Sequence, residues 1–190
     1  MSASTKGVIR MASVRRVLDA AYAAAAGLAA ASLLLIFLVM MAQIGLRQFG
    51  EQLPAADDIS AYLCVSTTFF ALAATFKRGE LIRVGMALDR LGPGARRVAE
   101  LVALSLAAAM VAYIVFWTAQ DTLFSWEIEE MSQGTVALPI WVPKLAMPFG
   151  AGLLLVAILD EWVSVLRGTR PSYVLAAEAR AASGDFTAEV

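Results

Sequence analysis

Histidine is absent from the 190 residues, cysteine occurs once, and only 16% of the chain is charged. Without histidine there is no bis-histidine haem, no imidazole metal site and no imidazole acid–base chemistry. A single cysteine, Cys64, excludes an intrachain disulfide. Charge is scarcest in three stretches: 20–46, 59–76 and 101–120 hold no Asp, Glu, Lys or Arg, and their strongest polar groups are Gln43 and Gln120. A path for an ion or an anionic substrate normally leaves a charged group at membrane depth. Nor does the chain show a pair of Gly/Pro-broken helices of the kind that builds mid-membrane sites. These absences argue against an enzyme and against a chain that transports anything alone. They leave an accessory subunit, with no catalytic, cofactor-binding or metal-ligating residue to nominate.

What is present is apolar. Hydrophobic residues make up 60% and the mean hydropathy is +0.72, outside the range of ordinary soluble domains. A helix rises ~1.5 Å per residue and the hydrocarbon core is ~30 Å thick, so each of the three runs is close to or beyond spanning length. A fourth run, 145–159, reaches that length only when extended back to Pro139, which brings in Lys144. Pro139 suits a first helical turn, whereas Pro143 and Pro148 should make the outer half irregular. The expected fold is therefore all-α and integral to the membrane, with four transmembrane helices at about 20–46, 59–76, 101–120 and 139–159. They form one membrane domain, 19–167, between a basic lead (1–18) and a polar, Ala-rich tail (168–190). The first run is too long for a signal-peptide core and lacks a small-residue cleavage site, so it reads as an uncleaved signal anchor.

Orientation follows from basic charge. Lys6, Arg10, Arg15 and Arg16 precede the first span; Lys77, Arg78, Arg83, Arg90, Arg96 and Arg97 lie between the second and third; Arg167, Arg170 and Arg180 follow the fourth. Only Arg47 and Lys144 lie on the other side. By the positive-inside rule the chain is N-in and C-in, and the two acidic loops face outward. In the middle loop, Leu81, Val84, Leu88 and Leu91 recur at helical spacing, which predicts a short amphipathic cytoplasmic helix between spans two and three, ended by Gly92–Pro93–Gly94. The alternative is an irregular basic loop held by anionic lipid. Trp117, Trp126 and Trp141 fall near the outer interface, Tyr22 and Trp162 near the inner one. Ala23, Gly27 and Ala31 form a small-residue row expected to pack; the face of span two bearing Ser60, Cys64, Thr67, Thr68, Ala71 and Thr75, whose hydroxyls can bond across a contact, is expected either to pack within the bundle or to meet another subunit.

Three segments carry a resemblance: "LPAADDISAYL" before span two, "KRGELIRVGMALDRLGPGARR" after it, and "SQGTVALPIWVPKLAMPFG" leading into span four. In this order and spacing they resemble the small membrane subunit of tripartite ATP-independent periplasmic (TRAP) transporters, the DctQ-like family, over most of 20–166. Leu81 stands where the family usually has histidine, Gly85 where an Asp is common, and the paired acids are Asp rather than Glu. The resemblance implies a sodium-coupled importer of small organic anions such as carboxylates. Its partners would be a large multi-span membrane subunit, which holds the sodium and substrate sites, and a periplasmic substrate-binding protein. It also implies the inner membrane of a bacterium with a periplasm, with lipid around the chain and no nucleic acid. A non-transporting assembly or sensor subunit of another membrane complex is the alternative.

The candidate residues are read against plain structural roles. Asp57 could cap the second span and Asp58 favour its dipole, each worth ~1 kcal/mol or less, while Asp58 or both meet a partner; coordination of an ion or substrate is disfavoured because the outer position offers no enclosing shell. Glu127, Glu129 and Glu130 are either a docking patch for the binding protein or a solvated loop. Trp141 and Lys144 complete the expected partner-contact set; for Lys144 the alternatives are snorkelling and an ion pair with the outer acids or the large subunit. Lys77, Arg78, Glu80 and Arg83 are expected to anchor the cytoplasmic interface.

Overall fold

The computed structural model describes residues 3–78, 92–134 and 136–167. Among these described residues the regular structure is all helical apart from one isolated bridge between Met131 and Pro139. We label the helices α1 (Ala3–Arg47), α2 (Ala56–Arg78), α3 (Pro93–Glu127), α4 (Trp141–Lys144) and α5 (Ala146–Leu166). Four stretches are long and apolar enough to cross a membrane: Val17–Arg47, Ala56–Arg78, Gly94–Glu127 and Trp141–Leu166. The amphipathic helix expected in the middle loop, with Glu80 and Arg83, and the 168–190 tail lie outside the described residues.

Local chemistry sets the helix limits. Pro93 opens α3 behind an extended Gly92, at the position where a missing N–H leaves no bond unmade. The fourth span breaks at Leu145, between α4 and α5. Pro148 has no N–H to offer the Lys144 carbonyl, so the expected irregularity falls there. Two helices close in the same way with different residues. After α1, the Gly50 N–H bonds to the Arg47 carbonyl (3.2 Å) and the Glu51 N–H to that of Leu46 (3.1 Å), with Gly50 at φ 77°. After α3, the Glu129 N–H bonds to the Trp126 carbonyl (3.2 Å) and the Glu130 N–H to that of Ser125 (2.9 Å), with Glu129 at φ 49°. Both are Schellman caps, in which glycine is the usual left-handed residue. Here α3 uses a glutamate.

The helices stand in an open row, α1–α2–α5–α3, because the extensive contacts are α1 on α2, α2 on α5 and α5 on α3. The tightest approach is in the middle. A Cβ on Gly150 of α5 would lie 2.6 Å from the carbonyl carbon of Phe69 on α2 and 2.8 Å from its Cβ, so only glycine permits this spacing. One buried cluster joins all four spans near their basic end: Tyr22, Ala73, Phe76, Leu104, Ala157, Ile158 and Val165. Elsewhere large apolar side chains stay exposed, among them Leu33, Leu34 and Phe37 on α1 and Met110 and Tyr113 on α3. In water this would be untenable; against lipid or another membrane protein it is not.

Two packing expectations change. The buried face of α1 is Tyr22, Ala25, Ala29 and Ser32, while Ala23, Gly27 and Ala31 are exposed, so the small-residue row is not an internal contact. On α2 the threonine hydroxyls bond within their own helix rather than across to neighbours. Thr67, Thr68 and Thr75 donate to the carbonyls of Leu63, Cys64 and Ala71 in their own helix, at 2.8 to 2.9 Å. Cys64 faces outward.

Candidate functional site

Among the described residues, the Asp, Glu, Lys and Arg of the spans collect at the two ends of the row. At the acidic end, residues 130–134 and 136–140 pair as the two arms of a short hairpin: Ser132 N–H donates to the Leu138 carbonyl (2.7 Å) and Ile140 N–H to that of Glu130 (3.0 Å). The hairpin folds back onto the start of α2. The Tyr62 hydroxyl donates to Ser132 Oγ at 3.1 Å, and Gly134 lies so close to the Asp58 carboxylate that a Cβ would collide with it. Two of the segments that carry the family resemblance thus touch, through residues far apart in the chain.

The base of the hairpin is tied down by Lys144. Its ammonium reaches Ser125 Oγ (2.6 Å), Asp121 Oδ2 (2.9 Å) and Glu130 Oε2 (3.2 Å), one acceptor for each of its three protons. The Ser125 hydroxyl, fully buried, donates in turn to Glu130 Oε2 at 2.6 Å. The Ser125 hydroxyl, and after it Lys144, hold the Glu130 carboxyl below its ordinary range. Of the alternatives for Lys144, the ion pair with the outer acids is the one adopted.

The three glutamates therefore divide. Glu130 turns into the ion-pair network, whereas Glu127 and Glu129 line a cavity of about 580 Å³ with Trp126, Met131, Pro139 and Trp141. Asp57 is exposed and Asp58 half-buried against Gly134. Neither caps α2. The helix starts at Ala56, Ile59 N–H bonds to the Ala55 carbonyl at 2.9 Å, and both acids sit in the first turn, where they favour the dipole.

At the basic end, Lys77 of α2 bonds to Asp160 Oδ2 (2.7 Å), lies 3.5 Å from Glu161 Oε1, and stands over the Tyr22 ring at 5.6 Å. Glu161 is 1% exposed. A buried carboxylate at the edge of a membrane span requires such a cation. Lys77, expected as an anchor of the cytoplasmic interface, also ties α1, α2 and α5 together. Asp160 and Glu161, which the sequence reading passes over, are its partners. They follow an apolar run at the position where Lys77 also follows one, and that matched placement was the available signal. Arg97 Nη2 donates to the Leu166 carbonyl at the end of α5 (2.7 Å), and Trp162 Nε1 to Ser105 Oγ (2.9 Å). Arg78 is exposed at the end of α2.

Residues 36–168 match the family described as tripartite ATP-independent periplasmic transporters, DctQ component. No curated protein matches the chain.

Proposed function

The chain belongs to the DctQ family, the small membrane subunit of TRAP transporters, and from that premise we propose that it is the scaffold subunit of a sodium-coupled importer of small organic anions. One observation carries this reading: the membrane-spanning part is an open row with wide apolar faces and no Asp, Glu, Lys or Arg from 20 to 46, 59 to 76 or 101 to 120. Such a row suits packing on a large multi-span subunit, which supplies the sodium and substrate sites. The basic end faces the cytoplasm with both termini, and the acidic end faces the periplasm of a bacterial inner membrane. There Asp57, Glu127 and Glu129 help receive the substrate-binding protein, with Trp141 beside them. Asp58, Glu130 and Lys144 hold the hairpin in shape for that encounter.

Co-expression with the large subunit tests the reading. The two should co-purify, and reconstituted vesicles should take up a carboxylate under a sodium gradient only when both are present with the binding protein. A stable homo-oligomer that never captures the large subunit would refute it. Asp57→Asn should slow uptake while leaving the assembled complex intact.

A further inference from the structure

The cavity beside Glu127 and Glu129 has a composition that the rest of the acidic end lacks. Two indoles, Trp126 and Trp141, stand with two carboxylates, and Met131 and Pro139 complete an apolar lining. Aromatic faces and carboxylates both attract a cation, and together they favour an alkylammonium or guanidinium group over a bare ion. No basic side chain of the described residues lines the cavity. Lys144, the nearest in sequence, has its three protons committed to Ser125, Asp121 and Glu130.

Glu129 lines this cavity from a left-handed backbone position that glycine fills in the matching cap of α1. A left-handed backbone is unfavourable for a side chain with Cβ, so the carboxylate is held there against local preference. The cavity also lies where the spans end. Glu127 closes one membrane-spanning stretch and Trp141 opens the next, while Glu129, Met131 and Pro139 belong to the connection between them. A cavity lined half by that outer connection is open to a group arriving from the aqueous side.

We propose that this cavity is the seat of an arginine or lysine side chain presented by the substrate-binding protein, held between the indole of Trp126 and the carboxylates of Glu127 and Glu129. The inference rests on the docking role given above and specifies its chemistry. Glu130, although adjacent in sequence, takes no part in it.

The test uses the complex of this chain with its large subunit in nanodiscs, prepared with and without phosphatidylethanolamine, and measures capture of the purified binding protein at several salt concentrations. Glu127→Gln with Glu129→Gln should weaken capture about tenfold and flatten its salt dependence. Trp126→Leu should weaken it by a similar factor, and Trp126→Phe much less. Glu129→Gly should weaken capture without lowering the melting temperature, which a merely structural role would not produce. Capture equal to wild type in every variant would overturn the proposal. So would an effect of the substitutions that vanishes when phosphatidylethanolamine is omitted, since a lipid ammonium would then be the occupant. If the wild-type complex assembles and transports but its small subunit contributes nothing to capture, the cation seat fails and the scaffold role stands. If the two membrane subunits do not assemble, both fail.

Discussion

At the scale of single residues, the acidic end shows how neighbours in sequence take opposite tasks. Glu129 strains its backbone and Glu130 pairs with the half-buried Lys144 ammonium, although one peptide bond separates them. Replacing Glu129 by glycine should raise the unfolding free energy by about 1 kcal/mol, read as a higher melting temperature of the purified subunit. Glu130 gives a pH dependence of definite sign. Its folded-state pKa lies below the ordinary value of 4.5 because Ser125 and Lys144 stabilise the anion. The unfolded chain therefore binds the proton first as pH falls, so the contribution is complete above the unfolded value and is lost as pH falls through the folded one. Melting temperature compared at neutral pH and near pH 4 should drop less in Glu130→Gln than in wild type. Gly134→Ala should cost about 1 kcal/mol by forcing Asp58 off its rotamer, and the loss should largely disappear in an Asp58→Ala background. The sequence makes the paired aspartates conspicuous, yet their roles depend on a hairpin about 75 residues away, which no local pattern announces. The same holds for Lys77, whose partner Asp160 is 83 positions distant.

At the scale of elements, the four spans were readable because an uncharged run near 20 residues has few alternatives to a membrane helix. Their ends were less so. The last span continues to Leu166, past Asp160 and Glu161, since Lys77 neutralises charges that would otherwise end an apolar segment. Removing that cation as Lys77→Met should destabilise the fold by roughly 1–3 kcal/mol, between the values for exposed and buried pairs. Thermal unfolding of that variant beside Lys77→Met/Asp160→Asn should show partial recovery in the double substitution. Helix contacts were the least legible feature. Glycines look alike in sequence, but Gly150 abuts the Phe69 backbone whereas Gly27 and Gly152 face open space. Gly150→Ala should cost about 1–3 kcal/mol and loosen α2 from α5; Gly27→Ala and Gly152→Ala should be neutral or slightly stabilising. Melting the three variants side by side distinguishes a packed glycine from an idle one.

At the scale of the whole molecule, an open row of helices leaves two long flanks, α1 and α3, without a neighbour among the described residues on their outer sides. Binding of the large subunit to the folded chain should then raise its melting temperature above that of the subunit purified alone. Orientation can be read with an impermeant thiol reagent on intact spheroplasts, in a Cys64→Ser background. A cysteine placed at Glu127 should label and one placed at Arg167 should not. The spatial order α1–α2–α5–α3 also departs from the order of synthesis. Consecutive elements usually become neighbours, and α1 and α2 do so as soon as both have left the ribosome. The third span has no such welcome, because the helix it packs on is translated last. For the time needed to make the hairpin and the fourth span it must wait in lipid as an unpaired segment. Ribosome pausing or truncation between Glu127 and Ala146 would thus strand a finished helix with nothing to hold it, and quality-control proteases would meet the nascent subunit at that interval.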